Sequence, residues 1–99
     1  HIEIEPKSIA NFMHEYSHRL NKTVMGEFLG REKEYWDGLC VRTLHEYVDM
    51  MEFAGMKFVA AMRKFLSGFR LPGEAQKIDR MMEKFAEHYY FQNPDIFFI

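Results

Sequence analysis

Covalent cross-links and membrane spans are the first things this sequence withholds. Of its 99 residues only Cys40 is a cysteine, so no disulfide can close within the chain and a reducing cytosolic setting is expected. No apolar run approaches the thickness of a bilayer and no signal peptide is visible, so the chain reads as soluble unless some further part anchors it. Charge of one sign is scarce as well. The formal net charge is −2, split as −3 over the first fifty residues and +1 over the rest, without the concentrated basic patch that nucleic-acid binding requires. There is no glycine-rich loop to cradle a phosphate, so the chain itself is expected to bind no nucleotide. No Ser/His/Asp or Cys/His set suggests nucleophilic catalysis either.

What the sequence has is apolar bulk. It is 47% hydrophobic, with ten phenylalanines and eight methionines, enough for one domain with its own core. The apolar spacing predicts an all-α fold of antiparallel stacked helices, part of an α-helical superhelix, with no strand. Five helices are expected. The first runs from about Lys7 to Arg19 behind Pro6, with Ile9, Phe12, Met13 and Tyr16 inward. The second runs from the cap Asn21 to Leu29 and is closed by Gly30. The third runs from about Glu34 to Met51, burying Leu39, Cys40, Thr43, Leu44, Tyr47, Val48 and Met51. After a turn at Ala54-Gly55, the fourth runs from about Lys57 to Phe69 on a stripe of Phe58, Met62, Phe65 and Phe69. The fifth runs from Glu74 to about Phe91, and Asn93-Pro94 ends it. The chain opens on His1 and closes on the apolar Ile96-Phe97-Phe98-Ile99, so further helices covering that cluster are expected to follow.

His14-Glu15-Tyr16-Ser17-His18 fits the HExxH pattern on the first predicted helix, where two histidines four apart can share a zinc ion. Against it stand the charge of Arg19, the lack of an obvious third ligand, and the small room for a cleft. A solvated polar face is the simpler expectation, with zinc hydrolysis a remote alternative. His45 and His88 show no ligand spacing, and no metal site is expected.

The run Phe69-Arg70-Leu71-Pro72-Gly73-Glu74-Ala75-Gln76-Lys77-Ile78-Asp79-Arg80 is the most informative stretch. Pro72 pushes Leu71 out of the helical region, and Gly73 is expected to let the chain turn sharply. An apolar stripe then begins at Ile78 and continues through Met81, Met82, Phe85, Ala86 and Tyr89. Glu74 therefore falls at a helix start on a corner between two packed helices. An acid there complements the exposed N–H groups of the first turn, which is a sufficient structural reason for it. A carboxylate held by its backbone yet facing outward is also where a charged tool would be mounted.

This run resembles the signature of the Sec-seven domain, the catalytic domain of guanine-nucleotide exchange factors for Arf GTPases. The resemblance extends to Asn21-Lys22-Thr23-Val24-Met25-Gly26-Glu27-Phe28-Leu29-Gly30 and to Glu52-Phe53-Ala54-Gly55-Met56-Lys57-Phe58-Val59. Downstream it takes in Met81-Met82-Glu83-Lys84-Phe85-Ala86 and Asn93-Pro94-Asp95-Ile96-Phe97. It covers nearly the whole chain and is closer to the large Golgi and endosomal exchangers than to the cytohesin type.

The resemblance implies that Glu74 is a finger entering the nucleotide pocket of an Arf-family GTPase, near the β-phosphate and the bound magnesium. It implies partner contact by Asp79 and a loop and rim shaped by Gln76 and Lys77. Ile78 and Met82 would lie toward the partner groove or in the core, and Arg70, Leu71, Pro72 and Gly73 would set the finger's direction. No cofactor of its own is implied, since the GDP and magnesium acted on belong to the partner. The setting implied is cytoplasmic, peripheral to Golgi or endosomal membranes, in vesicle trafficking. The chain corresponds to a partial domain of about half length, without the first helices or the C-terminal ones that carry the second, Asn-ended apolar motif. A helical interaction module without exchange activity is the alternative.

Overall fold

Pro6, with no amide hydrogen to leave unpaired, sits at the start of the first helix, and an asparagine side chain starts the second. The computed structural model describes residues 4–96 and holds five α-helices. They are α1 (Pro6–Glu15), α2 (Lys22–Leu29), α3 (Leu39–Asp49), α4 (Phe58–Leu66) and α5 (Ala75–Gln92). Asn21 caps α2, its Oδ1 accepting from the Val24 amide at 3.0 Å. No strand occurs among the described residues, which agrees with the all-α expectation. Of the apolar terminal cluster, Phe97, Phe98 and Ile99 lie outside the described residues, as do His1, Ile2 and Glu3.

Three helix ends depart from the expected ones. α1 stops at Glu15 rather than Arg19, because the chain turns there: the Arg19 and Leu20 amides both donate to Tyr16 O. Its apolar stripe is only half used, with Ala10 and Met13 buried but Phe12 52% exposed. α3 begins at Leu39 rather than Glu34. Trp36, Asp37 and Gly38 take positive φ of 48°, 55° and 84°, which no right-handed helix can pass through. Glycine removes the steric cost at the last of them, and the Arg42 guanidinium donates to Asp37 O at 2.8 Å across the turn. α4 ends at Leu66, where Ser67 Oγ donates back to Lys64 O at 2.8 Å, and Phe69 folds into the core from the following loop.

The core is aromatic. Phe65 stacks on Phe85 with centroids 5.1 Å apart, and Phe53 meets the same ring edge-on at 5.2 Å. α3 buries every residue of its expected stripe from Leu39 to Val48, and Met51 just beyond it. Asn93 does more than end α5. Its Nδ2 donates to Phe53 O and Tyr89 O, and its Oδ1 accepts from Gly55 N at 2.8 Å. The turn between α3 and α4 is thereby pinned to the end of α5, with Gly55 at φ 79°.

Candidate functional site

The link between α4 and α5, residues 67–74, lies on α2 rather than free in solvent. Its first anchor is a reciprocal pair: Arg70 N donates to Lys22 O at 3.0 Å, and Lys22 Nζ donates to Ser67 O at 2.7 Å. Its second anchor is an absence of side chain. A Cβ on Gly26 would overlap the carbonyl oxygen of Arg70, so the loop backbone rests directly on α2. One turn on, at Gly30, Pro72 Cγ and the Met81 sulfur would lie 3.0 and 3.3 Å from a Cβ, and Arg80 Nη2 donates to Gly30 O at 2.7 Å. Two glycines four apart on one helix face thus form the bed of the loop. That spacing was visible in the sequence as the signal, but only the packing gives it meaning.

Glu74 follows as the N-cap residue of α5, in extended conformation at φ −89° and ψ 127°. Its carbonyl accepts from Lys77 N and Ile78 N, both at 3.1 Å, so the backbone is fixed. Its carboxylate does not cap the helix. The side chain is 70% exposed and meets Lys77 Nζ at 3.0 Å. Lys77 is nearly covered, with a side chain 8% exposed, and Glu32 stands 3.6 Å from its other side. The hydrogen bond with Glu74 leads the causes that hold the Lys77 ammonium's pKa above the usual lysine value. Desolvation opposes it, and the nearby charges of Glu74, Glu32 and Glu27 add to it. Backbone hydrogen bonding, ahead of the pull of Lys77, holds Glu32 below the usual carboxylate range.

The other residues of the run divide by exposure. Arg70, Gly73, Gln76 and Asp79 are exposed, Leu71, Ile78 and Met82 are half-buried, and Pro72 is buried. Glu74, Ile78 and Met82 recur every four residues and share one face of α5 below the carboxylate. Lys77, expected on the rim, is instead the covered member, committed to two carboxylates. At Gly73 the chain bends, as expected, but without the left-handed conformation. Positive φ occurs in this chain only at Trp36, Asp37, Gly38 and Gly55 among the described residues, and nothing lies within 4 Å of a Cβ placed on Gly73. The bend is flanked by Pro72, docked on Gly30, and by extended Glu74. Sequence reasoning missed Glu32, which lies 37 residues before the run and leaves no local signal.

The HExxH reading fails on geometry. His14 lies in α1, where its Nε2–H donates to Tyr47 O at 2.7 Å and its ring stacks on Tyr47 at 3.8 Å. His18 falls in the turn beyond the helix, exposed, so the two do not share a helix face. No group of three metal-ligating side chains exists among the described residues.

Comparison with known proteins concerns nearly the whole chain. The family model described as Sec7 domain matches residues 1–98. Brefeldin A-inhibited guanine nucleotide-exchange protein 2 of Arabidopsis thaliana is 52% identical over 92 residues, which make up 93% of this chain and 5% of that protein. The chain thus spans a small fraction of that relative's length. The solved Sec7p catalytic domain superposes with a TM-score of 0.85 at 44% identity, covering 94% of this chain and 47% of its own. A chain from the structure of ARF1-GDP bound to Sec7 domain complexed with Brefeldin A gives 0.82 at 33% identity, covering 91% and 43%. This chain accordingly belongs to the Sec7 domain family.

Proposed function

We propose that this chain is the finger-bearing part of a guanine-nucleotide exchange factor that drives GDP from an Arf-family small GTPase. The observation that carries the reading is Glu74 itself, exposed at its carboxylate and immobilised at its backbone. The likeness to a Sec7 domain solved with ARF1-GDP supports the choice of partner.

The chemistry is electrostatic and breaks no covalent bond. A carboxylate brought beside a diphosphate repels it by roughly 4 kcal/mol at about 4 Å in an effective dielectric near 20. Displacing the partner's magnesium removes the main counter-charge of that diphosphate. A few kcal/mol taken off the dissociation barrier is about 10²–10³ in rate. Ile78 and Met82, half-buried on the face below Glu74, offer apolar contact to the partner, and Asp79 and Gln76 offer polar contact. Arg70, Leu71, Pro72 and Gly73 aim the loop. The chain supplies no cofactor, and the ligands acted on are the partner's. No helix among the described residues is long and apolar enough to cross a membrane, and attachment to Golgi or endosomal membranes in vesicle transport would be peripheral.

The test is stopped-flow release of a fluorescent guanine nucleotide from the GTPase. Glu74→Lys in the full-length protein is expected to lower stimulated release by about 100-fold or more, with the fold unchanged by circular dichroism. Undiminished release would rule the finger out. A stable complex that never accelerates release, whatever residue stands at position 74, would make the protein a non-catalytic interaction module.

A further inference from the structure

We propose that Glu32 is a positioning residue for the Glu74 finger: it takes over the Lys77 ammonium when Glu74 swings away, so that the finger leaves without stranding a covered cation. The inference rests on the exchange reading above and deepens it.

Lys77 lies between two carboxylates of unequal freedom. Its Nζ is 3.0 Å from Glu74 Oε1 and 3.6 Å from Glu32 Oε1. The first distance is a hydrogen bond, and the second becomes one with a shift of less than about 1 Å. Glu74 is the more exposed partner at 70%, against 51% for Glu32. The backbone of Glu32 is anchored too. Its carbonyl accepts from Tyr35 N at 3.0 Å, Arg31 before it lies over the Tyr35 ring at 4.3 Å, and Gly30 is held by Arg80.

An ammonium has three donors and no acceptor, and on a side chain only 8% exposed it is costly to leave without a carboxylate. In the resting state Glu74 meets that need. For the finger to enter a nucleotide pocket its carboxylate has to leave Lys77, and among the other described residues only Glu32 is already within ion-pair distance of this ammonium. Glu27 contributes charge but no contact. Glu32 therefore lowers the cost of extending the finger without touching the nucleotide.

Two measurements test this, and they fail separately. The first needs no exchange activity. In a crystal structure of the Glu74→Gln variant, Lys77 Nζ is expected to close to hydrogen-bond distance of Glu32, and an ammonium turned out to solvent would overturn the relay. The second is a double-mutant cycle in nucleotide release by the full-length protein. Glu32→Gln is expected to lower kcat/KM by about threefold to tenfold, and the same change is expected to have no effect once Lys77→Met has removed the cation. A loss that persists in the Lys77→Met background would mean that Glu32 acts directly on the partner or on the fold, and the relay would be wrong. If instead Glu74→Lys retains full activity, the finger reading fails while the crystallographic test still decides the hand-off.

Discussion

The amide of Arg70 donates to the carbonyl of Lys22 over 3.0 Å, while the Lys22 ammonium donates to Ser67 O at 2.7 Å. This pair joins residues nearly fifty apart and lays the loop before Glu74 onto α2. The rigidity of the finger is therefore a property of α2 as much as of Pro72 and Gly73. Because the Arg70 carbonyl occupies the space where a side chain at position 26 would begin, Gly26→Ala is expected to destabilise the domain by about 1–3 kcal/mol through overpacking. It would do so although alanine is worth about 1 kcal/mol more than glycine inside a helix. Chemical denaturation reads the sign, and a stabilised variant would mean that the loop does not press on α2.

Gly73 gives the opposite expectation. Its backbone does not use the left-handed region and a Cβ there meets no atom. Gly73→Ala should leave stability unchanged within about 0.5 kcal/mol, or raise it slightly by restricting the unfolded chain. Any fall in nucleotide release by this variant then measures the closeness of the partner's approach. A large loss of stability would contradict the described backbone.

How much of this was legible beforehand follows from where each signal resides. α3 and α5 were readable because their stripes are periodic and fully buried, from Leu39 to Val48 and through Met81, Phe85 and Tyr89. The left-handed turn at Trp36-Asp37-Gly38 was not, since two of its three residues are non-glycine, and the Arg42 bond across it is a side-chain contact that no local pattern signals. The end of α1 escaped because nothing between Glu15 and Arg19 breaks helices. In the site, the prominence of Glu74 came from its place after Pro-Gly and from family resemblance. The commitments of Lys77 and the bed formed by Gly26 and Gly30 are tertiary facts, and no spacing within the run encodes them.

His14 has a structural use that a metal reading would obscure. Its imidazole both stacks on Tyr47 and donates to the same residue's carbonyl, fastening α1 to α3. His14→Ala is expected to cost about 1–2 kcal/mol in unfolding free energy, from one lost hydrogen bond and one lost ring contact. Elemental analysis should find no zinc in either protein. Stoichiometric zinc that disappears with His14 would revive the hydrolase reading.

The pair at the base of the finger also fixes a pH dependence at both ends of the range. The Lys77 pKa is raised above 10.5, chiefly by its bond to Glu74, so the folded state binds that proton more tightly than the unfolded chain does. The resulting stability is fully present below 10.5 and is lost as pH climbs through the raised value. The Glu32 pKa is lowered from 4.5, first by backbone hydrogen bonding and then by Lys77, so its contribution is present above 4.5 and fades as pH falls through the depressed value. Stability measured by denaturation across pH should therefore decline at both extremes. Glu74→Gln should weaken the alkaline decline, because its carboxylate is the leading reason Lys77 holds its proton, while leaving the Glu32 contribution at the acid end. An alkaline limb that is unchanged both in that variant and in Glu74→Gln combined with Glu32→Gln would show that the resting pair of Glu74 and Lys77 does not form in solution.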